Sequence, residues 1–256
     1  MNARVALLGG QGQTSRMVFH ALQSEFCVCT TVIEDPVPRA EFLQRRIKRL
    51  GWKRVAGQVL FIHLFVPILS REAKSQAAYV KKIYALNDSP IPQEKTTRVS
   101  SVNSDQCIEA LRNAAPDVVV VAGTRVIAER VLASVNTKFI NVHAGITPLY
   151  RGVHGGYWSL VNNDRNNCGV TVHLVDKGID TGGIIHQAPI QPSSADNFTT
   201  YPLLQLGEGI RLLKLAIREI QAGTFAIKPA PLRPSRLWSH PTLSEYYSNR
   251  TRNGVK

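Results

Sequence analysis

Two residues at the end of an apolar run have the types and spacing to do chemistry. Asn141 and His143 stand two apart in Phe139-Ile140-Asn141-Val142-His143. A strand has a side-chain period of two, so both project from one face. The turn Ala144-Gly145-Ile146-Thr147-Pro148 follows at once. It places that face at the strand end, where parallel α/β sheets hold their ligands. An amide donor beside an imidazole suits the stabilisation of a developing oxyanion and the movement of a proton. A second strand reads over residues 169–175, with a glycine-rich loop over 176–183. If the two strands are neighbours, Asp180 reaches His143, orients its ring and favours its charged form.

The full pattern is Asn141-x-His143, then Pro148-x-Tyr150-Arg151-Gly152, then Asp176-x-Gly178-x-Asp180-x-Gly182. It resembles the 10-formyltetrahydrofolate-dependent formyltransferases, which include glycinamide ribonucleotide, methionyl-tRNA and amino-sugar formyltransferases. The resemblance is strongest over residues 116–190 and extends over 3–190. It implies Asn141, His143 and Asp180 as catalytic residues and 10-formyltetrahydrofolate as co-substrate. It also implies that Arg125, Val126 and Ile127 line a pterin pocket with Asp176, Gly178 and Ile179. The family often carries Ser-Leu-Leu-Pro after the histidine; here the run is Gly145-Ile146-Thr147-Pro148, which leaves the subfamily open.

These residues need a scaffold. A strand over 5–8, a glycine turn, a helical stretch through Val18 and Leu22 and a strand over 27–33 make a β-α-β opening. Further strands read over 118–122, 138–142, 170–175 and 183–190, and helices over 105–114, 127–134, 155–162 and 199–221. Val118-Val119-Val120-Val121 lacks polar alternation, as expected of a strand buried on both faces. The alternation predicts an open, mostly parallel, Rossmann-like α/β sheet. Residues 1–222 read as the catalytic domain, with a helical insertion at 39–86. Residues 223–256 read as a Pro-rich C-terminal extension, extended over 228–234, with Arg236 to Pro241 packing back onto the body and 249–256 frayed.

The chain carries 31 Lys and Arg against 18 Asp and Glu, a net charge of +13. That balance suits anionic partners: phosphorylated small molecules, nucleic acid or an acidic membrane surface. In the insertion, Phe42, Leu43, Ile47 and Leu50 share one helical face, ringed by Arg45, Arg46, Lys48, Arg49, Lys53 and Arg54. Such a helix suits a membrane surface, an acceptor site, a homodimer face or plain solvation. The apolar run 59–69 is shorter than the roughly 20 residues a bilayer span needs. No leader pattern is evident at the N-terminus, and Cys27, Cys29, Cys107 and Cys168 lack zinc or disulfide spacing. A reduced, cytoplasmic enzyme without a metal is expected, with Cys27 and Cys29 in a buried strand.

The resemblance implies a primary amine as acceptor, and the basic charge favours an anionic, nucleotide-linked amino sugar. Methionyl-tRNA is disfavoured because about 35 residues after the long helix are too few for the barrel domain such enzymes carry. Gly10, Gln11, Gly12, Tyr150, Arg151, Gly152 and His154 are its candidate binding residues; the first three would present backbone amides to a phosphate. A formyltetrahydrofolate hydrolase shares the chemistry but usually adds an N-terminal regulatory domain. Gly10-x-Gly12-x-x-Ser15 with Glu34 also approaches a dinucleotide fingerprint, which keeps an NAD-dependent dehydrogenase or nucleotide-binding module as another class. His20, His63, His173, His186 and His240 read as structural.

Overall fold

The computed structural model describes residues 2–229 and 234–256. β1 (Arg4–Gly10), α1 (Gln13–Gln23) and β2 (Cys27–Glu34) form the opening unit. Four helices follow: α2 (Arg39–Leu50), α3 (Trp52–Leu60), α4 (Val66–Glu72) and α5 (Lys74–Ile83). A π-helical turn, Phe61–Phe65, joins α3 to α4. Then come β3 (Thr97–Val99), α6 (Asp105–Ala114), β4 (Val118–Ala122), α7 (Glu129–Leu132) and β5 (Lys138–His143). β6 (Arg151–Gly152), α8 (Gly155–Val161), β7 (Gly169–Leu174), β8 (Ile184–Pro189) and α9 (Tyr201–Ala222) lead to β9 (Leu237–Trp238) and α10 (Leu243–Asn253).

Among the described residues a seven-stranded sheet runs in the order β3-β2-β1-β4-β5-β7-β8. β3, β2, β1, β4 and β5 are mutually parallel, whereas β7 runs antiparallel to both β5 and β8. After β3 the chain returns past β1 to lay down β4, so the strand order reverses between β1 and β4. Ligands of open α/β sheets bind beyond the strand ends at such a point. All of β4 is buried, as its unbroken apolar run requires. One core layer packs α1, α8, α9 and the insertion against the sheet through Phe19, Ile140, Leu213 and Ile217. The other packs α6 and α7 through Leu111 and Val131.

The structure alters several expectations. Cys27 is exposed and Cys29 half-buried, because β2 buries its second half, from Thr31 to Glu34. β3 went unread because three residues carry no measurable period. The apolar run is part of a longer helical stretch, Trp52–Glu72, which by length and composition alone would cross a membrane. Residues 249–253 belong to α10, whose start is fixed by a capping box between Thr242 and Glu245. Val255 is buried beyond it. Of the Pro-rich stretch, Lys228 donates to the Ile184 carbonyl at 2.7 Å, and residues 230–233 lie outside the described residues.

α10 is held by an aromatic cluster. Phe61 meets Phe198 edge-on at 4.9 Å and Tyr246 at 4.8 Å, and both Phe61 and Tyr246 are fully buried. The insertion is thus packed into the main core. Phe61→Ala is expected to lower the free energy of unfolding by about 3–5 kcal/mol, measured by urea denaturation.

Candidate active site

The site is built where the parallel half of the sheet meets its antiparallel edge. The register pairs Asn141 of β5 with His173 of β7, and His143 with Thr171. Beyond β7, Asp176 shapes the loop: its carboxylate accepts from Gly178 N at 3.0 Å and Thr181 Oγ1 at 2.7 Å. Asp180 then adopts φ +53°, a left-handed conformation that aspartate tolerates better than most residues. Its Oδ2 lies 3.2 Å from His143 Nδ1 and accepts from Gly152 N at 2.9 Å, while Oδ1 lies 3.6 Å from His173 Nε2.

The two imidazoles are held differently. His173 Nδ1 lies 2.7 Å from the Leu174 carbonyl, and its Nε2 lies 3.2 Å from Asn141 Nδ2. The second Asn141 amide proton has no hydrogen-bond partner among the described residues. His143 is 5 % exposed, and its Nε2 lies 2.7 Å from the Tyr150 carbonyl. Both its ring nitrogens therefore face acceptors. Burial is the largest influence on its pKa and lowers it, against the opposing pull of the Asp180 carboxylate and the Tyr150 carbonyl. The aspartate does favour the charged ring, but burial outweighs it. Burial also opposes ionisation of Asp180. Hydrogen bonding to His173, the His143 charge and the Gly152 N–H together outweigh it and hold the carboxyl below its ordinary value.

A cavity of about 480 Å³ opens over these groups. Arg125, Val126, Ile127, Asn141, His143, Asp176, Gly178, Ile179 and Asp180 all line it, joined by Gly152 and His154. The Arg125 guanidinium, however, is spent on Glu34 at 2.6 Å and on the Asp35 and Ser100 carbonyls. Glu34, 5 % exposed, also accepts from Arg125 N and Val102 N, so it is not presented to a ribose as the dinucleotide fingerprint would require.

Other candidate residues are placed apart. Tyr150 is buried, with its hydroxyl on Asp164 at 2.9 Å and its ring stacked on Trp238. It acts on the site through its carbonyl. Arg151 Nη1 donates to the Ile179 carbonyl at 3.1 Å and ties the two loops together. Gly10 and Gln11 line a second concavity with Arg16 and Arg98, and Gln11 is turned onto Asp35 at 2.9 Å. Gly12 caps α1 and lies outside the central cavity. Of this turn, Thr14 reaches the cavity.

Two histidines that read as structural from the sequence line the cavity. His173 escaped notice because a strand histidine carries no signal without its register partner Asn141. His240 lines the cavity although it is far from the other wall residues in sequence. β9 places it there by pairing in parallel with β6. Gly152 permits this at φ +94°, where a side chain would collide with the Trp238 carbonyl. His240 Nδ1 lies 3.1 Å from His154 Nε2, and His154 packs on Phe198. His186 is remote from the cavity and is paired with Glu219 at 2.7 Å.

The chain belongs to the formyl transferase family, whose model matches residues 65–201, more than half of its length. It is 33 % identical over 130 residues to a methionyl-tRNA formyltransferase of Kosmotoga olearia, a match covering 50 % of this chain and 42 % of that protein. A methionyl-tRNA formyltransferase of Chlorobium chlorochromatii is 27 % identical over 163 residues, covering 64 % and 50 %. The chain thus spans about half the length of the curated relatives it matches, or less. In fold it is similar to a sugar N-formyltransferase from a Shewanella species, with a TM-score of 0.55, 15 % identity and coverage of 92 % and 76 %. It is also similar to phosphoribosylglycinamide formyltransferase from Anaplasma phagocytophilum, with a TM-score of 0.55, 16 % identity and coverage of 95 % and 97 %.

The His154–His240 pair has a consequence for stability. Burial drives both rings down, His240 to about 4 and His154 well below its ordinary value. A base whose folded pKa lies below its unfolded value of 6.5 leaves the unfolded chain binding more protons between the two. Stability is therefore complete above pH 6.5 and falls as the pH drops toward 4. The His240 contribution is on the order of 3 kcal/mol. A His240→Gln variant should show a shallower fall in melting temperature between pH 6.5 and 4 than the parent chain.

Proposed function

We propose that the cavity transfers a formyl group from 10-formyltetrahydrofolate to a primary amine. The observation that carries this reading is the convergence of Asn141, His143 and Asp180 on one cavity wall, with an Asn141 amide proton left without a protein partner. The cavity fits such a co-substrate. Val126, Ile127, Val175 and Ile179 offer apolar walls to a flat pterin, beside the backbone of residues 123–127 and the Asp176 loop. When bound, the folate supplies the formyl carbon that the amine attacks.

The side chains divide the work. Asn141 donates its free amide proton to the formyl oxygen as negative charge develops there. The proton that the attacking amine loses is relayed by the Asp180 carboxylate to His143 Nδ1 beside it, which can take it up because burial favours the neutral ring beforehand. Asp180 and the Tyr150 carbonyl then hold the imidazolium, one at each ring nitrogen. The same proton returns to the departing folate nitrogen as its bond to the formyl carbon breaks. His173 fixes the Asn141 amide and limits the motion of Asp180.

The acceptor reading is an anionic small-molecule amine, with a nucleotide-linked amino sugar favoured. The second concavity, with Arg16 and Arg98 beside the α1 turn, suits its phosphates. The methionyl-tRNA formyltransferase relatives make tRNA the alternative acceptor.

Calorimetric titration with a stable 10-formyltetrahydrofolate analogue, with NADH as competitor, tests the co-substrate. Saturable binding indifferent to NADH is expected, and binding of NADH alone would overturn the reading. His143→Ala and Asp180→Ala should fold, retain analogue binding and lose about 100-fold or more in turnover once an acceptor is found. Near-normal turnover by either variant would refute their roles. Formyl incorporation into nucleotide amino sugars against methionyl-tRNA separates the two acceptors.

A further inference from the structure

The insertion leaves apolar side chains on α2 and α3–α4 exposed among the described residues. α2 buries none of its residues among those described, although Phe42, Leu43, Ile47 and Leu50 form an apolar stripe. The stretch Trp52–Glu72 is apolar on two sides. Its inner side packs Val55, Phe61 and Leu69 into the core. Its outer side presents Leu60, Leu64 and Ile68, spaced four apart, with Leu64 58 % exposed; at its start Trp52 is 66 % exposed. A soluble helix shows one apolar stripe and a polar back. A helix apolar on both sides and covered on one is incomplete as it stands, and an exposed apolar row along a helix rimmed by charge marks a binding face.

Charge identifies the occupant. Residues 39–83 hold eleven Lys or Arg against Glu41 and Glu72, so nine of the thirteen net positive charges of the chain lie in this one segment. Arg39, Lys48, Arg49, Lys53, Arg71, Lys74 and Lys82 are exposed, and no carboxylate pairs with them among the described residues. A second copy of the chain would bring the same positive charge to the contact. A protein partner would have to match both a broad apolar face and a dense cationic fringe. An anionic bilayer offers both, with acyl chains for the apolar stripe and phosphates for the fringe. We infer that α2 and the outer side of α3–α4 dock on an anionic phospholipid surface, lying in the interface without crossing it. The inner side of the same stretch is held in the protein core, which excludes a spanning role for this packing.

The face is also joined to the cavity. Gln58, buried on the inner side of α3, donates to the His240 carbonyl at 2.5 Å and to Ser239 Oγ at 3.2 Å, and it accepts from Arg46 of α2. Arg54 pairs with Glu245 at 2.9 Å. The cavity wall at His240 thus sits one helix thickness, roughly 10 Å, from the proposed lipid surface. The docking itself stands apart from the formyl-transfer reading, because it is measured without turnover.

Flotation of the full chain with phosphatidylcholine vesicles containing about a quarter phosphatidylglycerol tests it, beside phosphatidylcholine alone. The chain should float with the anionic vesicles and much less with the neutral ones. Leu60→Glu/Leu64→Glu should reduce binding by about tenfold or more, and Lys48→Glu/Arg49→Glu by a similar factor on anionic vesicles alone. Both changes lie on exposed positions, so melting temperature and folate-analogue binding should match the parent chain. Absence of flotation would overturn the proposal. So would full binding by Leu60→Glu/Leu64→Glu, which would reduce the effect to charge attraction. Self-association in sedimentation that the same substitutions abolish would assign the face to a second copy instead.

Discussion

A carboxylate taken almost wholly out of water must be surrounded by donors or lose its charge, and the Asp180 site answers that constraint. Its two oxygens gather the Gly152 N–H, the His143 ring and the His173 ring from three separate segments. Each contact fixes something else. Gly152 orients the loop that carries the Tyr150 carbonyl and His154; His143 is turned so that both nitrogens face acceptors; His173 is kept against Asn141. Asp180 reaches this position in a left-handed conformation, and His154, across the cavity, is also left-handed at φ +58°. Such conformations persist only where their surroundings over-determine them, and here those surroundings are the site itself.

The support reaches further than the sheet. Trp158 stacks on Trp238 at 4.7 Å, and the Trp238 indole donates to the Leu149 carbonyl at 3.0 Å. The segment around β9 therefore works as a brace beneath the 150–154 loop. Gln58 in turn braces that segment from the helical insertion. Two regions that read as additions to a catalytic body are, in the structure, consecutive layers behind one cavity wall.

What the residues disclosed in advance follows from the range of the forces involved. The positions of β4, α7, β5, α8, β7, β8 and α9 were legible because each is set by local periodicity and burial. Asn141 and His143 were legible because a strand period and a turn are local, and Asp180 because its loop carries its own glycine signature. His173 depended on a cross-strand register, and His240 on the β6–β9 pairing; neither contact leaves a mark in nearby sequence. Arg125 lies at the cavity, and Glu34, distant in the chain, holds its guanidinium, a pairing that no local pattern announces. Gly10–Gly12 looked like part of the main site because glycine turns at strand ends share one pattern whatever they face.

The cavity draws its wall from Thr14, from the ends of β4 and β5, from the loop after β7, from Pro202 at the start of α9 and from His240. In the order of synthesis, the central strands β1, β2 and β4 are complete long before the brace that closes the wall exists. The wall therefore joins residues far apart in the chain and is closed by a parallel pair only two residues long.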